Sequence, residues 1–200
     1  MIFDYPEKPL ERKHGPAGYA GYQSYKPWLR DDFHFRCVYC LQRESWSNSG
    51  DRAFVIDHFL PQADNENLIC DYDNLCYACS TCNAHKSDRH LEVDPCRRSF
   101  SKYLKVEANG EITAHNTAGQ KLIEILQLND EVKAEFREKL LDLYQRAKAK
   151  GDKTLLKRWF GYPSNLPNLA RLRPPRNIKR EGLDHCFYQH RRKGSLPDVY

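Results

Sequence analysis

The sequence has no apolar run long enough to cross a membrane. Its opening residues, Met1-Ile2-Phe3-Asp4-Tyr5-Pro6-Glu7, carry neither the basic flank nor the apolar stretch of a secretory signal. Both absences predict a cytoplasmic protein with reduced thiols and no membrane partner. No internal repeat is present, so a repeat architecture is excluded. Full disorder is excluded too, because 40% of the residues are hydrophobic and 12% aromatic, while 30% charged residues suit a soluble surface. Two hundred residues suit one domain, or a modest domain with an appended lobe.

The net charge of +5 is unevenly spread. Residues 153–193 hold eleven Lys or Arg against only Glu181 and Asp184, a balance of +9 that leaves −4 for the remainder. Clustered cations of this kind suit contact with a polyanion, because phosphates reward them through counterion release. Residues 1–27 contain Pro6, Pro9, Gly15, Pro16, Gly18, Gly21 and Pro27, which break any regular period and predict an irregular arm. Its Tyr19, Tyr22 and Tyr25 are expected to pack on the body rather than stack on bases. A short helix is expected over 28–35, a buried strand over Ala53-Phe54-Val55-Ile56, and a helix over 79–91, which contains neither Pro nor Gly. Farther on, Asn109-Gly110 predicts a two-residue hairpin turn. Leu122, Ile125 and Leu126 mark one helix, and Asp130 is placed to cap a second, in which Val132, Phe136, Leu140, Leu143 and Ala147 keep a helical period as far as Gly151.

Of the eight cysteines, Cys37-Val38-Tyr39-Cys40 and Cys79-Ser80-Thr81-Cys82 have the C-x-x-C spacing that lets two thiolates grip one tetrahedral zinc. Together they make a four-thiolate site with 38 residues between the pairs, so something folded is held in the gap. Cys76-Tyr77-Ala78-Cys79 has the same spacing, but the pair ending at Cys82 is favoured because Asn83 then follows it. Cys76, Cys70, Cys96 and Cys186 read as structural cysteines.

The gap contains Asp57-His58-Phe59-Leu60-Pro61 and Asn74-Leu75, and the second pair runs on as Cys82-Asn83-Ala84-His85-Lys86. This order of elements resembles the HNH, or ββα-metal, nuclease family in its zinc-bearing form. The resemblance implies an α+β fold: an HNH core of hairpin and helix with a structural four-cysteine zinc site, followed by a β-hairpin and a helical carboxy-terminal region. The divisions expected are an arm over 1–27, the zinc-stapled core over 28–95, a hairpin and helical extension over 96–160, and a basic Pro/Arg-rich segment over 161–200.

By the same resemblance His58 is the general base and Asn74 holds the loop that orients it. Asp57 and Asn83 hold a catalytic Mg²⁺ or Mn²⁺, hard oxygen donors for a hard cation. Lys86 is expected to meet a phosphate or a nearby carboxylate, and His85 to face away from Asn83. Because neighbours on a regular strand face opposite ways, Asp57 and His58 share a site only if the strand is irregular there.

The function implied is hydrolysis of phosphodiester bonds in DNA. Residues beyond the core, including Asp94-Pro95 and Leu126-Gln127-Leu128-Asn129, are more loosely similar to HNH proteins of retron-associated and Septu-type antiphage systems. That similarity implies antiviral defence beside an ATPase of the ABC or SMC-like kind. The alternatives are a zinc module that only binds nucleic acid, or a nuclease subunit that works only with its ATPase.

Overall fold

The computed structural model describes residues 2–200, so residue 1 of the expected arm lies outside it. The chain is a mixture of helices and small antiparallel sheets. In order it forms β1 (Pro16–Ala17), α1 (Lys26–Asp32), β2 (Phe54–His58), β3 (Leu75–Cys79), α2 (Ser80–Lys86), β4 (Leu104–Val106), β5 (Ile112–Ala114), α3 (Thr117–Leu126), α4 (Glu131–Ala149), α5 (Lys153–Phe160), β6 (Arg176–Asn177) and α6 (Phe187–Arg192). No helix among the described residues is long and apolar enough to cross a membrane.

At the centre, β2 and β3 pair antiparallel with Phe54 opposite Cys79, Asp57 opposite Cys76 and His58 opposite Leu75. Phe54 and Tyr77 stack across the pair with ring centroids 5.2 Å apart. Helix α1 covers these strands, with Pro27 in its first turn, where the missing N–H costs nothing. Trp28, Leu29 and Phe33 are buried against them. Arg30 on the same helix forms a two-pronged pair with Glu44 (2.8 Å for each bond), and Tyr77 donates its hydroxyl to the same carboxylate at 2.6 Å. Each buried charge therefore has hydrogen-bonded partners, the condition under which such a pair is tolerated.

Several expectations need correction. The helix expected over 79–91 ends at Lys86, because Ser87 takes a positive φ of 49° and turns the chain away. The hairpin after the core is not a two-residue turn. Glu107 N–H bonds to Glu111 O at 2.7 Å and Gly110 N–H to Glu107 O at 3.0 Å, which makes a three-residue loop. Gly110 supplies the required left-handed residue at φ 80°, and a Cβ there would collide with the backbone carbonyl of Ala134. In α4, Leu140 and Ala147 are buried as expected, but Val132 is 73% exposed and Phe136 sits at the surface beside Trp46. Helical period alone does not say where along a helix the core stops.

The arm is ordered. β1 pairs with β6 from the far end of the chain, Tyr25 is fully buried, and Tyr19 packs edge-on against it. The basic segment after 160 folds back onto the body, with Leu169, Cys186 and Phe187 buried. Several of the cations in the carboxy-terminal third bind the protein itself: Arg191 donates to the carbonyls of Ser164 and Pro163, and Lys157 pairs with Asp198 at 2.9 Å.

Candidate functional site

The sulfurs of Cys37, Cys40, Cys79 and Cys82 all lie within 4.8 Å of one another and are buried, and Cys76 is not among them. The first pair lies in a tight turn closed by Leu41 N–H on Cys37 O at 3.0 Å, with Leu41 at a positive φ of 62°. The second pair opens α2: Cys79 is its N-cap, and its sulfur accepts from Cys82 N–H at 3.4 Å. The Cys40 and Cys79 sulfurs are 3.7 Å apart. Bonds of about 2.3 Å to a tetrahedral zinc would put two sulfurs roughly 3.8 Å apart, so the cluster fits that ion. Hydrogen bonds from Cys37, Cys40 and Cys82 lower the Cys79 pKa, while burial pushes the Cys37 thiol up. Cys76 is buried in β3, Cys186 is buried at the start of α6, and Cys70 and Cys96 are half-buried.

Asp57, near the end of β2, is 3% exposed. Its Oδ1 accepts from Lys86 Nζ at 3.1 Å and its Oδ2 from the Tyr39 hydroxyl. Lys86 Nζ also donates to His58 O at 2.7 Å. The nearby carboxylate expected for Lys86 is thus Asp57. Burial pushes the Asp57 carboxyl above its ordinary range, opposed by Lys86 and by the Tyr39 hydrogen bond. Removing Lys86 would leave a buried charge unpaired, a loss of about 3–5 kcal/mol in comparable pairs.

His58 faces another set of partners. Its Nε2 lies 2.9 Å from Ile69 O and its Nδ1 lies 2.8 Å from the Gln62 amide nitrogen. A carbonyl can only accept, so Nε2 carries the proton and the neutral ring keeps its lone pair on Nδ1. Burial lowers the His58 pKa from its ordinary value, against the Ile69 hydrogen bond and the Asp57 charge. The ring of Tyr22, from the arm, meets the imidazole edge-on at 4.8 Å.

Asn74 ties this loop together. Its Oδ1 accepts from Leu60 N–H at 2.8 Å, and its amide donates to Leu60 O at 3.1 Å and Leu68 O at 3.3 Å. Its backbone carbonyl accepts from Phe59 N–H at 2.9 Å. One side chain therefore fixes the chain just after His58 and just before Ile69, whose carbonyl holds the imidazole.

Strand β2 stays paired in register through His58, so the pairing shows no bulge of the kind that would turn Asp57 and His58 to one side. Lys86 joins the two, its Nζ bonding both Asp57 Oδ1 and His58 O. Asn83 is half-buried on α2, one turn before Lys86 on the same face, and its side chain makes no hydrogen bond among the described residues. No hydrogen bond joins it to Asp57. His85, two positions on from Asn83, is half-buried on another face of α2. A carboxylate offers about four lone-pair sites, and protein donors use two of those on Asp57. The unused oxygen capacity of Asp57 and Asn83 fits a hard divalent cation.

Tyr39, Gln62 and Tyr22 join the site without having been expected there. Tyr39 is one of the two unspecified residues inside the first C-x-x-C, where only the cysteine spacing carries a signal. Gln62 directly follows the Asp-His-x-x-Pro run.

Comparison with known proteins agrees with this part of the chain. The match to Septu protein PtuB of Bacillus thuringiensis is 28% identical over 101 residues, covering 47% of this chain and 37% of that protein's length. The family model described as HNH endonuclease matches residues 37–89, from the first cysteine of the cluster to just past the end of α2. Over that stretch the chain is similar to an HNH endonuclease domain.

Proposed function

We propose that the chain is a metal-dependent endonuclease that hydrolyses phosphodiester bonds in DNA. In this reading β2, β3 and α2 are the ββα-metal core. The observation that carries it is the His58 tautomer: Nε2 is committed to Ile69 O, so the basic lone pair is on Nδ1. His58 takes the proton of the attacking water at that atom. Gln62, exposed at the surface, yields the position to the water and keeps it aligned. Asn74 fixes the loop on both sides of the base. Asp57, oriented by Tyr39 and Lys86, and Asn83 hold the divalent cation, which supplies charge stabilisation at the departing oxygen. The cysteine cluster holds a structural zinc that fixes the start of α2 against the first knuckle.

Similarity to Septu protein PtuB supports a role in antiphage defence, and favours a second reading in which the nuclease cuts only when assembled with an ATPase partner. Purified protein incubated with duplex DNA and Mg²⁺ or Mn²⁺ tests the first reading. Cleavage that a chelator abolishes supports it, and cleavage only after the partner is added supports the second. DNA binding with no cleavage under either condition would leave a zinc-dependent binding module.

A further inference from the structure

We infer that Arg12, in the arm that precedes the matched segment, is a positioning residue for the nuclease site, acting on His58 through Asn74. The inference rests on the nuclease reading above.

Arg12 is 7% exposed and does not reach solvent as a phosphate-binding cation would. Its Nη2 donates to Leu75 O at 2.5 Å and to Asp73 O at 3.3 Å, the two carbonyls that flank Asn74. Its Nε lies 3.7 Å from the Asp73 carboxylate. The guanidinium is placed over the rings of Phe33 and Tyr72, at 5.2 and 5.0 Å from their centroids. A planar group with several donors can bond both carbonyls and stack at once, which a lysine ammonium cannot do.

The arm holds the same turn from a second side. Asp32 Oδ1 accepts from the backbone N–H groups of Lys13 and His14, at 2.8 and 3.3 Å, and its Oδ2 accepts from the Tyr72 hydroxyl at 2.7 Å. The 3-10 turn Tyr72–Asn74 is therefore clamped at its start through Tyr72 and at its end through Arg12. The arm is anchored in turn by the far end of the chain. Lys179 Nζ donates to Arg12 O at 2.8 Å, Ile178 N–H to Gly15 O at 2.9 Å, and β1 pairs with β6.

The path to the base is short. Arg12 sets the carbonyls around Asn74, and Asn74 sets Leu60 and Leu68 through its side-chain hydrogen bonds. The next residue, Ile69, sets the His58 tautomer and aim. Phe59 N–H and Leu60 N–H both end on Asn74, so their exchange with solvent reports directly on its hold.

The experiment uses the full chain, zinc-loaded, with Arg12→Ala and Arg12→Lys. Expected for Arg12→Ala are a kcat at least about tenfold lower, as for other supporting contacts, an unchanged KM for DNA, and unchanged zinc content. Millimolar guanidinium, too dilute to denature, is expected to enter the vacated site and restore part of kcat, and Phe59 and Leu60 amides should exchange faster. Arg12→Lys, the milder change should Arg12→Ala fail to fold, should also show faster exchange at these amides. Unchanged exchange at Phe59 and Leu60, or a kcat loss that guanidinium does not relieve, would overturn the inference. Exchange is read without activity: wild-type protein that cuts neither alone nor with an ATPase partner would sink the nuclease reading, while the amides still decide the role of Arg12.

Discussion

His58→Ala is expected to slow DNA cleavage by about 10²–10⁴-fold, the range that a positioned general base contributes, with zinc content and fold retained. The expectation follows from what the side chain touches. Its bonds go to Ile69 O and to the exposed Gln62 amide, and its ring meets Tyr22 edge-on. Water can replace the imidazole at both hydrogen bonds, so the stability loss should be about 1–3 kcal/mol. His58→Asn, which keeps a donor near Ile69 O, checks that the rate loss is chemical rather than structural. Undiminished cleavage in both variants would remove His58 from the mechanism.

The second large effect is expected at the cysteine cluster. Cys79→Ala should release the zinc and unfold the core, because structural zinc contributes about 10–16 kcal/mol of apparent binding energy in small zinc domains. That exceeds or matches the whole stability of an ordinary domain, about 5–15 kcal/mol. Cys79 is also the N-cap of α2, so its loss frees the helix that carries both Asn83 and Lys86. Cys76→Ala removes a buried side chain outside the cluster and should cost on the order of 1 kcal/mol, with the zinc retained. Metal content and thermal unfolding of the two variants decide the matter. Zinc lost from Cys76→Ala and kept in Cys79→Ala would reverse the assignment.

These residues are legible in the sequence because their signals are local. Two C-x-x-C pairs and the Asp-His-x-x-Pro run can be seen from spacing alone, and the strand expected over 53–56 lies inside or beside β2. The contacts that orient the site come from elsewhere. Tyr39 reaches Asp57 from the turn between Cys37 and Cys40, Tyr22 and Arg12 arrive from the arm, and nothing in their own neighbourhoods marks them. Proline and glycine in the arm break any regular period there. Irregular backbone, however, can be held rigidly by side chains such as Asp32, which binds His14 N–H and the Tyr72 hydroxyl. The end of α2 is hidden for a related reason: no breaker residue marks Ser87, and Lys86 is drawn into a buried ion pair that sequence period cannot foresee. The clustered cations of the basic stretch after 160 suit contact with a polyanion, yet Lys179 and Arg191 direct their donors to the protein's own carbonyls.

In the proposed reading the oxygens of Asp57 and Asn83 serve one divalent cation. Calorimetric titration of Mn²⁺ into the zinc-loaded protein tests it without requiring cleavage. Expected is one Mn²⁺ site in the wild type and in His58→Ala, weakened by more than about tenfold in Asn83→Ala and Asp57→Asn. Equal Mn²⁺ affinity in all four proteins would contradict it.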